Sequence, residues 1–207
     1  MPIDCYVSSC ASDAVRTHLA RATLACLMAE PLVSVVLLRT EGTDVRTPFG
    51  SRATVVLKES KHEFQRARRR EAAERALTAI YVCADDDVLP LSANWVMLGL
   101  EAMEKHREFG LIGLRANGIQ YLAEDGFKNE VVEERGEAGG LYFTRRGILK
   151  REEWPDPKEF NDYDRRVADT IRAKGLKVGM FNHLYFSHIG LGYSTATHNQ
   201  NGYKEKA

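Results

Sequence analysis

The sequence predicts an α/β fold with a largely parallel central sheet, on two observations. Residues 33–38, apart from Ser34, and residues 80–83 are apolar and rich in β-branched side chains with no regular polar alternation, the pattern of strands covered on both faces. The stretches between such runs carry helical spacing or helix-favouring composition. At 207 residues the chain suffices for one well-buried core, since single domains commonly run to about 200 residues.

The elements follow in order. Residues 3–8 form a short apolar run, residues 15–29 repeat with helical spacing at Val15, Leu19, Ala22 and Cys26, and residues 32–38 are apolar again. This is strand, helix, strand. Ser12 or Asp13 is placed to cap the helix, and Pro31, which has no backbone N–H, stops its continuation. Residues 54–57 are a brief strand candidate. Residues 63–79, full of Ala, Arg and Glu, are a helix, and residues 80–84 a strand. A helix is expected at 92–106 and a strand at 109–114. Residues 118–140 have many Glu and Gly and little periodicity, as expected of a flap or variable loop. A strand at 141–144, a helix at 162–174 and extended chain at 177–186 complete the set.

Composition narrows the partners. The 29 basic residues balance the 29 acidic ones, so no global field draws in nucleic acid or an anionic membrane. The local basic run Lys61, His62, Arg66, Arg68, Arg69, Arg70 and Arg75 is interleaved with Glu63, Glu71 and Glu74, which favours pairing along one helix over nucleic-acid binding, the minority alternative. Apolar runs are far shorter than the ~20 residues of a membrane span. The first residues lack the basic start and apolar core of a signal peptide, so a cytoplasmic location is expected. Cys5, Cys10, Cys26 and Cys83 have no paired metal-ligand spacing and read as buried thiols.

The chemistry concentrates at Asp85-Asp86-Asp87, directly after a buried-type strand. Ligands of open α/β sheets bind beyond the carboxyl ends of strands. Adjacent carboxylates repel one another, and a divalent cation such as Mg²⁺ or Mn²⁺, its shell completed by phosphates, relieves that repulsion. A solvated acidic turn is the alternative.

The Ala-rich stretch 67–76, then Ile80-Tyr81-Val82-Cys83-Ala84-Asp85-Asp86-Asp87, resembles the core signature of family-two-type glycosyltransferases with the GT-A fold. In that family an Ala-rich helix containing Arg-Asn leads into a strand ending in the DXD motif. Arg69 takes the Arg place, and Arg70 stands where Asn is usual. Phe160-Asn161-Asp162-Tyr163-Asp164, with Arg166 and Gly175-Leu176-Lys177-Val178 after it, resembles the family's Glu-Asp block, with Asn161 replacing the Glu. His188-Ile189-Gly190 stands where many relatives carry a metal-binding histidine. The blocks occur in family order, and the resemblance runs from about residue 3 to 192.

The resemblance implies a Rossmann-like, mostly parallel sheet flanked by helices, in a single domain over 1–192. Residues 1–87 would be the nucleotide-binding half and 88–192 the acceptor half. Residues 193–207 are a C-terminal lid or a frayed tail, from which His198 would reach a phosphate. It implies transfer of a sugar from a nucleoside-diphosphate sugar, UDP by default, to an acceptor hydroxyl. Asp87 and His188 would hold Mn²⁺ or Mg²⁺. Asp85 would share that role or face the ribose, and Asp86 would face the cofactor or turn into the structure. Asp162 is the candidate base of an inverting displacement, with Asp164 the reserve. For Asp162 a helix N-cap is the alternative.

Ser8, Ser9, Arg39 and Glu41, at the ends of the first two strands, are placed by topology for nucleoside binding, with Arg69 beside them. Gly139-Gly140 suit a close backbone approach to a sugar, or a plain turn ahead of Arg145 and Arg146. Trp154 and Tyr163 are candidates to stack on an acceptor, with core packing the alternative for Trp154. The acceptor would be a saccharide or a modified nucleobase in DNA. A Mg²⁺-dependent nucleotidyltransferase would carry a Gly-rich phosphate loop after the first strand, and Tyr6-Val7-Ser8-Ser9-Cys10 has no glycine. A non-catalytic sugar- or nucleotide-binding module would need no general base.

Overall fold

The structure is a computed structural model and describes residues 2–11, 13–42, 45, 56–57, 67–116, 130–136, 139–155 and 163–190, the side chains at 10, 11, 39–42, 56, 57, 67, 68, 151 and 163 excepted. The first unit is β1 (Ile3–Ala11), α1 (Ala14–Met28) and β2 (Val33–Gly42). The Asp13 carboxylate accepts the Arg16 N–H at 2.9 Å and caps α1. The buried face of α1 carries Thr17, Ala20, Leu24 and Leu27, not the stripe expected from Val15, Leu19, Ala22 and Cys26, and Val15 is 46% exposed. Thr17 can lie inward because its hydroxyl donates to the Asp13 carbonyl at 2.7 Å, which removes the penalty of burying it.

Next come β3 (Val56–Leu57), α2 (Ala67–Arg75), β4 (Ile80–Asp85), β5 (Val88–Pro90), α3 (Trp95–Lys105) and β6 (Phe109–Ala116). Then follow β7 (Val131–Glu133), β8 (Leu141–Arg145), a 3-10 turn (Arg151–Glu153), α4 (Tyr163–Ala173) and β9 (Lys177–His188). Two of these differ from expectation. β5 is strand only because it pairs with β9, and β7 lies within the stretch read as a flap or variable loop.

The strands join one sheet in the order β3-β2-β1-β4-β8-β6-β9-β5, with β7 also on β9. β1, β2, β3 and β4 pair in parallel, as do β6 and β9, while β8 runs antiparallel to both β4 and β6. The carboxyl ends of β4, β6 and β9 therefore meet at one edge.

Strand alternation makes two cores. Val7, Val82, Ile112 and Phe143 face α1 and α3, where they meet Leu24, Trp95 and Met103. Tyr6, Tyr81, Leu111 and Tyr142 face α2 and α4, where they meet Ala72, Ala76, Val167 and Ile171. The sheet is covered on both sides, as its apolar strands require. Cys5 and Cys83 are buried and Cys26 half-buried, in keeping with the reading of these thiols; Cys10 has no described side chain. Trp154 packs against the second core, as the core-packing alternative has it. No helix is long and apolar enough to cross a membrane among the described residues.

Candidate active site

The carboxyl end of β4 leads into a turn at Asp86-Asp87 and straight into β5, whose Val88 pairs with His188 at the end of β9. Residues distant in sequence are thereby brought within reach. His188 Nε2 lies 2.9 Å from Asp87 Oδ1, and the Ile189 N–H donates to the Asp87 carbonyl at 2.8 Å. Ligand atoms of Asp85, Asp87 and His188 all lie within 4.8 Å of one another. Asp86, 2% exposed, points into the structure.

Arg69 approaches from the second helix. It shares a face of α2 with Ala72 and with Ala76 just past the helix end, and these alanines are buried against the sheet. That spacing of three and four residues carries Arg69, 7% exposed, over the sheet edge. Its Nη2 lies 3.3 Å from Asp85 Oδ1, and its Nη1 pairs with Asp164 Oδ1 in the first turn of α4. The guanidinium also lies over the Tyr142 ring, 5.4 Å from its centroid, a cation–π arrangement. Arg69 thus joins the two halves of the chain, a role that sequence reasoning missed. Both pairings are long-range in sequence, and only the Arg itself was visible.

Burial pushes the Asp85 carboxyl above its ordinary range, with Asp87 adding to the rise and Arg69 opposing it. Strain of this kind is what a cation would relieve. His188 is also raised, first through its hydrogen bond to Asp87, with burial opposing. The donor set of two carboxylates and one imidazole fits Mn²⁺ or Mg²⁺, with room in the shell for phosphate oxygens.

Backbone packing tightens around these acids. The Asp85 N–H donates to the Gly140 carbonyl at 2.8 Å. Gly140 has φ +77°, and a Cβ there would strike the Phe186 ring. Gly139 lies where a Cβ would stand 3.2 Å from Asp164 Oδ2. The glycine pair therefore serves the protein's own backbone and Asp164. Arg145, after the glycine pair, is half-buried. Its guanidinium bonds the Met103 carbonyl near the end of α3.

The remaining candidates fall as follows. Ser8 pairs in register with Asp85 and is 5% exposed, and Ser9 is fully buried. Arg39 and Glu41 lie on β2 without described side chains, and the Tyr163 side chain is in the same position. Asp162 and His198 lie outside the described residues. In the basic run, Arg70 pairs with Glu74 at 3.3 Å and Arg75 with Glu71 at 2.9 Å, the pairing expected of a solvated helix face; Lys61, His62 and Arg66 lie outside the described residues, and the Arg68 side chain is not described. Asp13 occupies the start of α1, where a nucleotidyltransferase would need amides available for phosphate.

No protein-family model and no curated protein sequence matches this chain. Solved structures do. GalNAc-T7 with UDP, GalNAc and Mn²⁺ superposes at TM-score 0.70 and 13% identity, over 90% of this chain and 43% of that one. The mannosyltransferase PcManGT from Pyrobaculum calidifontis, in complex with GDP-Man and Mn²⁺, gives TM-score 0.69 and 16% identity over 91% and 57%. TarS 1-349 of S. aureus, in complex with UDP-GlcNAc, gives 0.64 and 12% over 92% and 61%. The chain spans less than two thirds of each of these proteins.

Proposed function

We propose that this chain, which has the GT-A glycosyltransferase fold, transfers a sugar from a nucleoside-diphosphate sugar to an acceptor hydroxyl with the help of a divalent cation. The observation that carries the proposal is the convergence of Asp85, Asp87 and His188 within 4.8 Å at the carboxyl end of β4, where ligands of such sheets bind. Mn²⁺ or Mg²⁺ held there supplies Lewis-acid stabilisation of the charge that develops on the leaving diphosphate.

The chain's own residues do the rest. His188 would ligate as a neutral imidazole, beside Asp87 in the same shell. Arg69 opposes the rise that burial imposes on Asp85 and keeps that carboxylate in place, and it holds Asp164 beside the site. Because Asp164 is committed to Arg69, the base role goes to Asp162, which would take the acceptor proton as the oxygen attacks the anomeric carbon, giving inversion. Arg39 and Glu41 would line the nucleoside end. UDP is the favoured nucleotide and GDP its competitor, since similar folds bind either.

A thermal-shift screen of UDP-, GDP- and other nucleotide sugars with and without Mn²⁺ tests the proposal, because a ligand of the folded state alone raises apparent stability. One donor with a Mn²⁺-dependent shift that is lost in Asp87→Ala supports it. Absence of any nucleotide shift, with stabilisation by free sugars, points to a binding module.

A further inference from the structure

β9 turns over midway, and the turnover sets where His188 lies. Val178 and Met180 face the core under α2 and α4, whereas Leu184 and Phe186 face the core under α1 and α3. Unbroken alternation would keep all four on one face. The inversion arises in the pairing with β6. Between Gly113 and Arg115, β6 advances two residues, while β9 advances five, from Met180 to Tyr185. That odd surplus turns every later side chain to the other face. At the same point β9 exchanges β7 for β5 as its neighbour, pairing Phe181 with Val131 before and His188 with Val88 after.

Arg115 fills this bulge. Its Nε donates to the Phe181 carbonyl at 2.9 Å and its Nη2 to Asn182 Oδ1 at 2.7 Å, within the protein interior. Asn182, 0% exposed, donates its N–H to the Glu130 carbonyl at 3.0 Å, and its own carbonyl accepts the Tyr185 hydroxyl at 2.9 Å. Backbone groups that a bulge removes from the ladder need partners when buried, and the fixed fork of a guanidinium holds two acceptors at once.

We infer that Arg115 and Asn182 are positioning residues for the cation site. They hold the odd-numbered bulge of β9 and thereby fix the face on which His188 meets Asp87. The inference rests on Asp85, Asp87 and His188 being cation ligands.

Two readouts on the full chain test it: Mn²⁺ affinity by electron paramagnetic resonance, and the imidazole ¹⁵N resonances of His188 in the cation-free protein. Arg115→Met should weaken Mn²⁺ binding about 10- to 100-fold, the usual cost of losing a residue that orients a ligand. It should also move the His188 resonances toward those of Asp87→Ala. Tyr185→Phe, a milder change that keeps the ring, should move both readouts the same way by less, and it decides the matter if Arg115→Met does not fold. Arg115→Lys should recover part of the affinity. Arg115→Met in a His188→Ala background should weaken Mn²⁺ no further. Unchanged His188 resonances, or a full additional loss in that background, would overturn the inference. A wild-type chain that binds no Mn²⁺ would instead overturn the cation reading, while the resonances still decide whether Arg115 sets the register.

Discussion

Gly190 packs so closely on Asp87 that a Cβ at 190 would overlap the Asp87 carboxylate and stand 2.8 Å from its Cβ. The carboxylate can rotate away, but the Asp87 Cβ is tied to the backbone. A substitution must therefore move the turn itself. Gly190→Ala is expected to cost about 1–3 kcal/mol of stability, the range for overpacking, and to weaken Mn²⁺ binding at the same time. Chemical denaturation and a Mn²⁺ titration on one preparation check both, and an unaltered Mn²⁺ affinity would count against Asp87 as a ligand.

Gly99 provides the contrasting case. A Cβ there would overlap the Phe143 ring, which is itself wedged between Trp95 at 5.6 Å and Phe181 at 6.1 Å. Alanine favours a helix over glycine by about 1 kcal/mol, yet overpacking a closed core costs about 1–3 kcal/mol. The clash is expected to win. Gly99→Ala should lower the denaturation midpoint and leave nucleotide and Mn²⁺ affinities as they were; a rise in midpoint would show that the core yields.

Arg69→Met strips the cation from two carboxylates at once. A charge-assisted hydrogen bond contributes about 1.5–3 kcal/mol, and these groups are at most about a quarter exposed. A loss of that order is expected, and Asp164→Asn in the same background should cost less than it does alone. Strictly additive losses in this double-mutant cycle would mean that the two residues do not act as a pair.

Alkaline pH should destabilise the fold through its buried thiols. Burial raises Cys83 from an ordinary value of 9.0 to about 11 and pushes Cys5 higher still. A group raised in the folded state contributes stability below its unfolded value and loses it as pH climbs through the folded one. Urea midpoints should therefore fall from about pH 9 upward, and fall less steeply in Cys5→Ala/Cys83→Ala. Parallel profiles for the two proteins would rule the thiols out.

What the sequence disclosed was what lies contiguous in it. The apolar run at 80–84 followed at once by Asp85-Asp86-Asp87 announced both a central strand and the acids at its end. His188 was legible through the order of blocks, and Asp13 through its place before α1. What stayed hidden depends on pairing across long separations. The antiparallel insertion of β8 between β4 and β6 leaves no trace in periodicity, because all three strands are apolar over most of their length without alternation. β5 is three residues long and exists through its partner β9. Val15 was assigned to the buried stripe of α1 because two apolar stripes compete there, and the one completed by Thr17 wins. Arg69 was found as a residue but not as the link between Asp85 and Asp164, and Arg115 drew no notice at the end of an apolar strand.

The most direct test is a calorimetric titration of UDP, and separately GDP, into the wild-type chain and Asp87→Ala, each with and without Mn²⁺. At least tenfold tighter binding of one nucleotide when Mn²⁺ is present, abolished in Asp87→Ala, is the expected result. Equal affinity with and without Mn²⁺, or a Mn²⁺ effect that survives Asp87→Ala, would contradict a cation held by Asp85, Asp87 and His188.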